Sequence, residues 1–250
     1  MKLEMLALLL LSISAGASPH HCKPTKIAVV DTGLDLSDPR FKSHLCKTGH
    51  RNFVPKETMN DTVGHGTHVA GLVQEFATDV NYCILIYKYY QNASSSAQNV
   101  RREILALQAA IDNGATVINF SGGGPGFNDD ESKVIKNNPQ VTFVVAAGNE
   151  GQNLDTPGNE YYPASYFYPN LVVVGAVGVN GIRTRYSNYG KHVENWELGE
   201  EVISTLPCDV NEVGSRCTGR MSGTSQATAI FSGKLVAKKS NSCEYSHNDN

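Results

Sequence analysis

The chain has 250 residues, 40% of them apolar, and a formal charge of −3. That length and apolar share suffice to bury a full core within one domain. The near-neutral charge argues against nucleic acid or an anionic membrane as partner, and no segment is apolar for long enough to span a bilayer.

In chain order, Met1 to Ala17 reads as a secretory signal peptide. Lys2 opens it, Met5 to Leu11 form the apolar stretch, and Ala15-Gly16-Ala17 offers a small-x-small cleavage site. A buried N-terminal helix is the alternative. The mature chain is then a single domain over residues 18–250, acting outside the cell. Histidines rather than small residues precede Cys22, which argues against a lipid anchor.

An alternation of apolar runs and amphipathic stretches follows. Strands are expected at Lys26–Asp31, Tyr82–Lys88, Thr116–Phe120, Val141–Ala146 and Leu171–Val177. A helix is expected from Gly64 to Phe76. A second runs from Asn99 to Asn113, with Ile104, Leu107, Ala110 and Ile111 on one stripe and Gly114 as its stop. A third spans Thr224 to Lys239, with Lys234, Lys238 and Lys239 near the negative end of its dipole. Near-continuous apolar strands separated by helices imply a doubly wound α/β fold, its mostly parallel sheet covered by helices on both faces.

The six cysteines are Cys22, Cys46, Cys83, Cys208, Cys217 and Cys243. An even number behind a signal peptide favours disulfides. Cys208 and Cys217 close a short loop and are paired first. Pairing Cys22 with Cys46 leaves Cys83 for Cys243, although the apolar surroundings of Cys83 also suit a buried free thiol. Nothing in the Cys and His spacing suggests zinc.

Three segments carry the chemistry: Asp31-Thr32-Gly33, Gly64-His65-Gly66-Thr67-His68-Val69-Ala70-Gly71 and Ser222-Gly223-Thr224-Ser225-Gln226-Ala227. They supply a carboxylate, an imidazole and a hydroxyl, each among small residues. A serine hydroxyl needs a base to become a nucleophile, and an imidazole can serve near neutral pH. The imidazole in turn needs an acceptor that fixes its tautomer. The order Asp, His, Ser is that of subtilisin, and these segments resemble the subtilase (subtilisin-like serine protease) family. The eight residues from Gly64 to Gly71 are far more specific than either flanking motif alone.

The resemblance implies that Asp31 orients His65, that His65 is the base and that Ser225 is the nucleophile. Asn149, within Ala146-Ala147-Gly148-Asn149-Glu150-Gly151, falls where the family carries its oxyanion-hole amide. His68 is read as a packing residue. A His-x-x-His metal site is the competing reading, but there is no zincin glutamate nearby and no evident third ligand. The resemblance further implies that Ser121-Gly122-Gly123-Gly124 pairs with an extended polypeptide. Ala146-Ala147-Gly148 would form the facing wall of the primary specificity pocket, with its base near Glu160, Tyr161, Tyr162 and Pro163. Glu160 pointing inward would favour a basic side chain; Tyr161 pointing inward would shorten the pocket. Gly122 replaces the usual leucine and is expected to loosen the neighbouring subsite.

Other departures concern the ends and one loop. About thirteen residues separate the cleavage site from Asp31, too few for the family's propeptide, and only 25 follow Ser225. Ala229 and Ile230 stand where Pro-His is usual. The direct passage from Gly71 to Tyr82 omits the loop that holds a tight calcium in many relatives, so no cofactor is expected. Asn60-Asp61-Thr62 and Asn92-Ala93-Ser94 have sequon form, on which nothing is built. The expected protein is a secreted, monomeric endopeptidase shortened at both ends. A peptide-binding pseudoprotease and a peptide ligase on the same scaffold are the alternatives.

Overall fold

The computed structural model describes residues 24–78, 80–91, 94–208 and 217–245, the last five as helix backbone only. Strand β1 (Thr25–Asp31) is buried from Ile27 onward. It is followed by β2 (Arg51–Asn52), α1 (His65–Phe76), β3 (Tyr82–Lys88) and α2 (Ser96–Asp112). Then come β4 (Val117–Phe120), α3 (Asp129–Lys136), β5 (Thr142–Ala146), β6 (Leu171–Val177) and β7 (Asn195–Leu198). Strands β8 (Val202–Thr205) and β9 (Thr218–Met221) pair antiparallel, and α4 (Thr224–Tyr245) follows.

The main sheet has seven strands in the order β2-β3-β1-β4-β5-β6-β7, and every pairing in it is parallel. Side chains alternate across it. Ile27, Val29, Ile84 and Ile86 pack with Val69, Leu72 and Val73 of α1 and Ala227 and Ile230 of α4. Ala28, Val30, Leu85 and Tyr87 pack with Ala106, Leu107 and Ala110 of α2 and Ile135 of α3. Both faces are therefore dry, which is why these strands are apolar at successive positions rather than at alternate ones. The fold is the expected doubly wound α/β architecture. Strand β1 lies between β3 and β4, where the chain reverses its direction across the sheet. Such a switch point leaves a crevice at the carboxyl ends of the strands, and Asp31 stands there.

The local differences have local causes. Helix α2 begins before Asn99 because Ser95 and Gln98 form a reciprocal capping box; Gly114, at φ 79°, follows its end. Helix α4 continues past Lys239, so the lysines do not meet its last turn. Lys234 instead pairs with Glu197 at 2.7 Å and lies over the Phe76 ring. Helix α3 was not anticipated, yet Asn128 caps it and three acidic residues fill its first turn.

One disulfide joins Cys208 to Cys217, as expected. Among the described residues a second disulfide joins Cys46 to Cys83 with Cα atoms 4.9 Å apart, which overturns the Cys22–Cys46 and Cys83–Cys243 pairings and the free Cys83 thiol. The segment before Cys46 adds to the edge of β3: Ile84 N–H donates to His44 O at 2.7 Å, and Cys46 N–H to Ile84 O at 3.0 Å. That ladder sets the two cysteines side by side. Cys22, the Cys243 side chain and the signal segment lie outside the described residues. Among the described helices none is long and apolar enough to cross a membrane.

Candidate active site

Asp31 ends β1 and His65 begins α1. The imidazole Nδ1 lies 2.8 and 3.0 Å from the two oxygens of the Asp31 carboxylate. A carboxylate only accepts, so Nδ1 is the donor and a neutral ring keeps Nε2 as its acceptor. Asp31 also takes the Thr32 N–H at 2.7 Å. The carboxylate is buried (5% exposed), whereas the imidazole is 30% exposed and open on one side. Burial opposes the imidazolium, but the charge and hydrogen bond of Asp31, with the charge of Asp61, outweigh it, so the His65 pKa is raised.

The contact depends on a close approach of α1 to the Asp31 turn. Gly66 permits it: a Cβ there would stand 2.6 Å from the Gly33 carbonyl oxygen. Thr32 Oγ1 accepts the Gly66 N–H at 2.8 Å and donates to Asp61 at 2.8 Å. Asp61 also accepts the N–H groups of Val63, Gly64 and Thr67 and the Thr67 hydroxyl, at 2.7 to 3.0 Å. It thus caps α1 from outside the helix. The motif reading passed over Asp61; its signal was an aspartate three residues before Gly64, suited to the unpaired N–H groups of a helix start.

His68 points away from this site. It is fully buried, and its Nε2 donates towards Val202 O and Gly219 O at 3.1 and 3.2 Å, tying α1 to β8 and β9. Burial lowers its pKa. Among the described residues no group of three or more His, Cys, Asp or Glu side chains is placed to hold a metal ion.

Ser225 occupies the first turn of α4, where backbone N–H groups lack partners within the helix. The neighbouring Thr224 donates its N–H and its hydroxyl to Asn149 Oδ1, at 2.9 and 3.1 Å. Because an N–H can only donate, Oδ1 must face Thr224, and the Asn149 Nδ2 lies beside Gly223, 3.6 Å from where a Cβ on that glycine would stand. Gly148 N–H donates to Thr224 Oγ1 at 3.2 Å, closing the link from the other side. Buried Asn188, absent from the motif reading, braces the same loop. It donates to Ala147 O and Glu150 Oε2 and accepts from Glu150 and Gln152 N–H, at 2.6 to 3.2 Å.

The Ser225 hydroxyl donates to Ser121 O at 3.1 Å, and among the described residues no hydrogen bond joins it to His65. Ser121 Oγ in turn donates to Ser225 O at 3.2 Å and accepts from Asn119 Nδ2 at 3.1 Å. Asn119 is held by Ser232 of α4. The chain after β4 is thereby fixed to the helix that carries Ser225.

Ser121–Gly124 and Ala146–Gly148 lie at the carboxyl ends of neighbouring β4 and β5. Tyr161, not Glu160, lies by both segments: a Cβ on Gly148 would be 3.0 Å from Tyr161 Cγ, and one on Gly123 2.9 Å from Tyr161 Cζ. Glu160 turns back on its own loop and accepts the Gly158 N–H at 2.9 Å. Gly122 does not loosen its surroundings, because Tyr89 and Phe120 take up the room. A Cβ there would be 2.8 Å from Phe120 Cζ and would overlap the Tyr89 hydroxyl.

The parallel sheet, with the aspartate, histidine and serine motifs at its carboxyl edge, defines a subtilisin-like α/β protein. A profile of the Subtilase family (Peptidase S8) matches residues 23–249. The major intracellular serine protease of Bacillus subtilis (strain 168) is 32% identical over 234 residues, covering 87% of this chain and 69% of that protein. Subtilisin E of the same strain is 32% identical over 217 residues, covering 83% and 53%. The structure of a cold adapted subtilisin-like serine proteinase matches with a TM-score of 0.69 at 25% identity, over 88% of this chain and 77% of that one. A lanthipeptide protease reaches 0.73 at 24% identity over 90% and 76%, a likeness of fold. The chain belongs to the subtilase family. It spans about half the length of subtilisin E and of subtilisin NAT of Bacillus subtilis subsp. natto.

Proposed function

We propose that this protein is a secreted serine endopeptidase that cleaves extended polypeptides through an acyl-enzyme. The observation that carries the reading is the Asp31–His65 contact at 2.8 Å, which leaves Nε2 as the free basic nitrogen. In this mechanism Ser225 turns its hydroxyl from Ser121 O to His65, which takes the proton as Oγ attacks the substrate carbonyl carbon. Asp31 stabilises the imidazolium that forms. The Ser225 N–H and Asn149 Nδ2 receive the developing oxyanion. His65 returns the proton to the leaving amine, and water then hydrolyses the acyl-enzyme by the same route. The helix start at Ser225 adds a positive potential at the oxyanion. Secretion is supported by the Cys46–Cys83 and Cys208–Cys217 disulfides, since such bonds persist in oxidising compartments.

A catalytically silent peptide-binding protein is the second reading, favoured by the engagement of Ser225 Oγ with Ser121 O. Hydrolysis of an unstructured protein substrate by the wild type and by Ser225→Ala separates the two. Cleavage that is lost in the variant supports the peptidase. Equal inertness of both, with peptide binding retained, supports the silent protein.

A further inference from the structure

We propose that Tyr161 closes the primary specificity slot, so that the residue contributing the scissile carbonyl must be glycine, alanine or serine. The inference rests on the peptidase reading above. In that reading the scissile carbonyl lies over Ser225, its oxygen between the Ser225 N–H and Asn149 Nδ2. The α-carbon bonded to it sits about 1.5 Å from the carbonyl carbon, so its side chain enters the slot between Ser121–Gly124 and Ala146–Gly148.

The Tyr161 ring lies against a glycine of each of the two segments. At one wall, a Cβ on Gly148 would lie 3.0 Å from Tyr161 Cγ; at the other, a Cβ on Gly123 would lie 2.9 Å from Tyr161 Cζ. Glu150 Oε2, 2.6 Å from the Gly148 Cβ position, Asn188 Nδ2 beside it, and Tyr162 O, 2.5 Å from that of Gly123, crowd the same two places, so the ring and its neighbours fill the space at both glycines. An incoming aromatic, aliphatic or basic side chain meets the ring, while a methyl or hydroxymethyl group stops short of it.

The ring is held in place. Tyr162 N–H donates to Gly124 O at 2.7 Å, and Gly124 N–H to Tyr162 O at 2.9 Å. Tyr161 N–H donates to Ser165 Oγ at 3.0 Å, and Ser165 N–H to Tyr161 O at 2.8 Å. These bonds pin the backbone on both sides of Cα, and the ring packs against the core on the α2 and α3 face. Admitting a large side chain would require the ring to leave that packing, a cost of the overpacking kind. Burial, with the charges of Glu150 and Glu103, raises the phenol pKa, so the hydroxyl stays neutral and offers no anion to a basic side chain.

The test is kcat/KM on tetrapeptide p-nitroanilides that differ only in the residue before the scissile bond: Gly, Ala, Ser, Leu, Phe, Lys. The wild type should favour Ala over Phe by about 100-fold, the range one pocket can enforce by size. Tyr161→Gly should bring that ratio to one or below, while Tyr161→Phe, which keeps the ring, should preserve it. Circular dichroism reports folding of each variant, and a fluorophosphonate, which carries no such side chain, reports a competent Ser225. A wild type that labels but cleaves after Phe or Leu as fast as after Ala overturns the inference alone. A folded Tyr161→Gly with the wild-type ratio does the same. No labelling and no cleavage in any folded protein overturns the peptidase reading and this inference with it.

Discussion

Thr32 and Asp61, 29 residues apart in sequence, share a hydrogen bond of 2.8 Å, and through it the turn behind Asp31 is fastened to the start of the His65 helix. The bond matters because it joins two separately positioned groups. Asp31 is placed by β1, and His65 by the first turn of α1. Asp61 and Thr32 set the spacing between them.

Asp61→Ala leaves the N–H groups of Val63, Gly64 and Thr67 without their acceptor. Buried donors that lose a charged partner are costly, so a loss of about 2–4 kcal/mol is expected in urea unfolding. Peptidase activity should fall with it in the protein that remains folded. Asp61→Asn, which can still accept, should recover part of both.

His65 should impose an acid limb on the pH profile of kcat/KM. The base must be neutral, and its pKa is raised above the usual 6.5, so the midpoint should lie above 6.5. Asp31→Asn should move that midpoint down as well as lower the rate. The stability linkage runs the other way: a raised folded pKa favours the native state below the unfolded pKa. That contribution fades as pH rises through the folded value. Urea midpoints of wild type and Asp31→Asn measured across that window should therefore converge towards alkaline pH.

In the proposed mechanism Asn149→Ala removes the side-chain donor to the oxyanion. Its kcat should drop by about 100- to 1000-fold with KM little changed, because the lost bond forms in the transition state. A drop confined to KM would place Asn149 in substrate binding instead.

Much of this was legible in the chain. The buried strands show as unbroken apolar runs because both faces of a parallel sheet are dry, and Leu171–Val177 matches the observed β6 end for end. His65 and Ser225 were marked by small neighbours, which serve close approach: Gly66 lies against the Gly33 carbonyl. Other features resisted for physical reasons. The Cys46–Cys83 bond depends on an edge bridge between Leu45 and Ile84, which leaves no local pattern. Asn188 acts by hydrogen bonds to backbone 36 to 41 residues away, so nothing adjacent identifies it, whereas Asp61 serves N–H groups two to six residues on and shows only as a helix-start acceptor. The choice between Glu160 and Tyr161 turned on one residue of alignment, and it is decided by the Tyr161 ring lying against Gly123 and Gly148 while Glu160 turns back to Gly158.

Glu103 on α2 and Glu131 on α3 are both buried, and Glu131 accepts the Tyr166 hydroxyl at 2.8 Å. Glu103 Oε1 has no partner. Burial first, and then the charge of Glu131, raises the Glu103 pKa well above 4.5. The folded state therefore holds protons that the unfolded chain releases, and stability should fall as pH rises from about 4.5 through the folded value. Glu103→Gln should flatten that decline in urea midpoints measured from acid to neutral pH. An unchanged slope would show that the pair does not govern it.

The central claim is that Ser225 is a nucleophile served by His65. Intact-mass spectrometry after a fluorophosphonate probe tests it most directly, on wild type beside Ser225→Ala and His65→Ala. The account predicts one adduct, mapped to Ser225 by peptide sequencing, absent in the serine variant and formed far more slowly without the imidazole. A wild-type chain that is folded by circular dichroism yet takes up no adduct would contradict it.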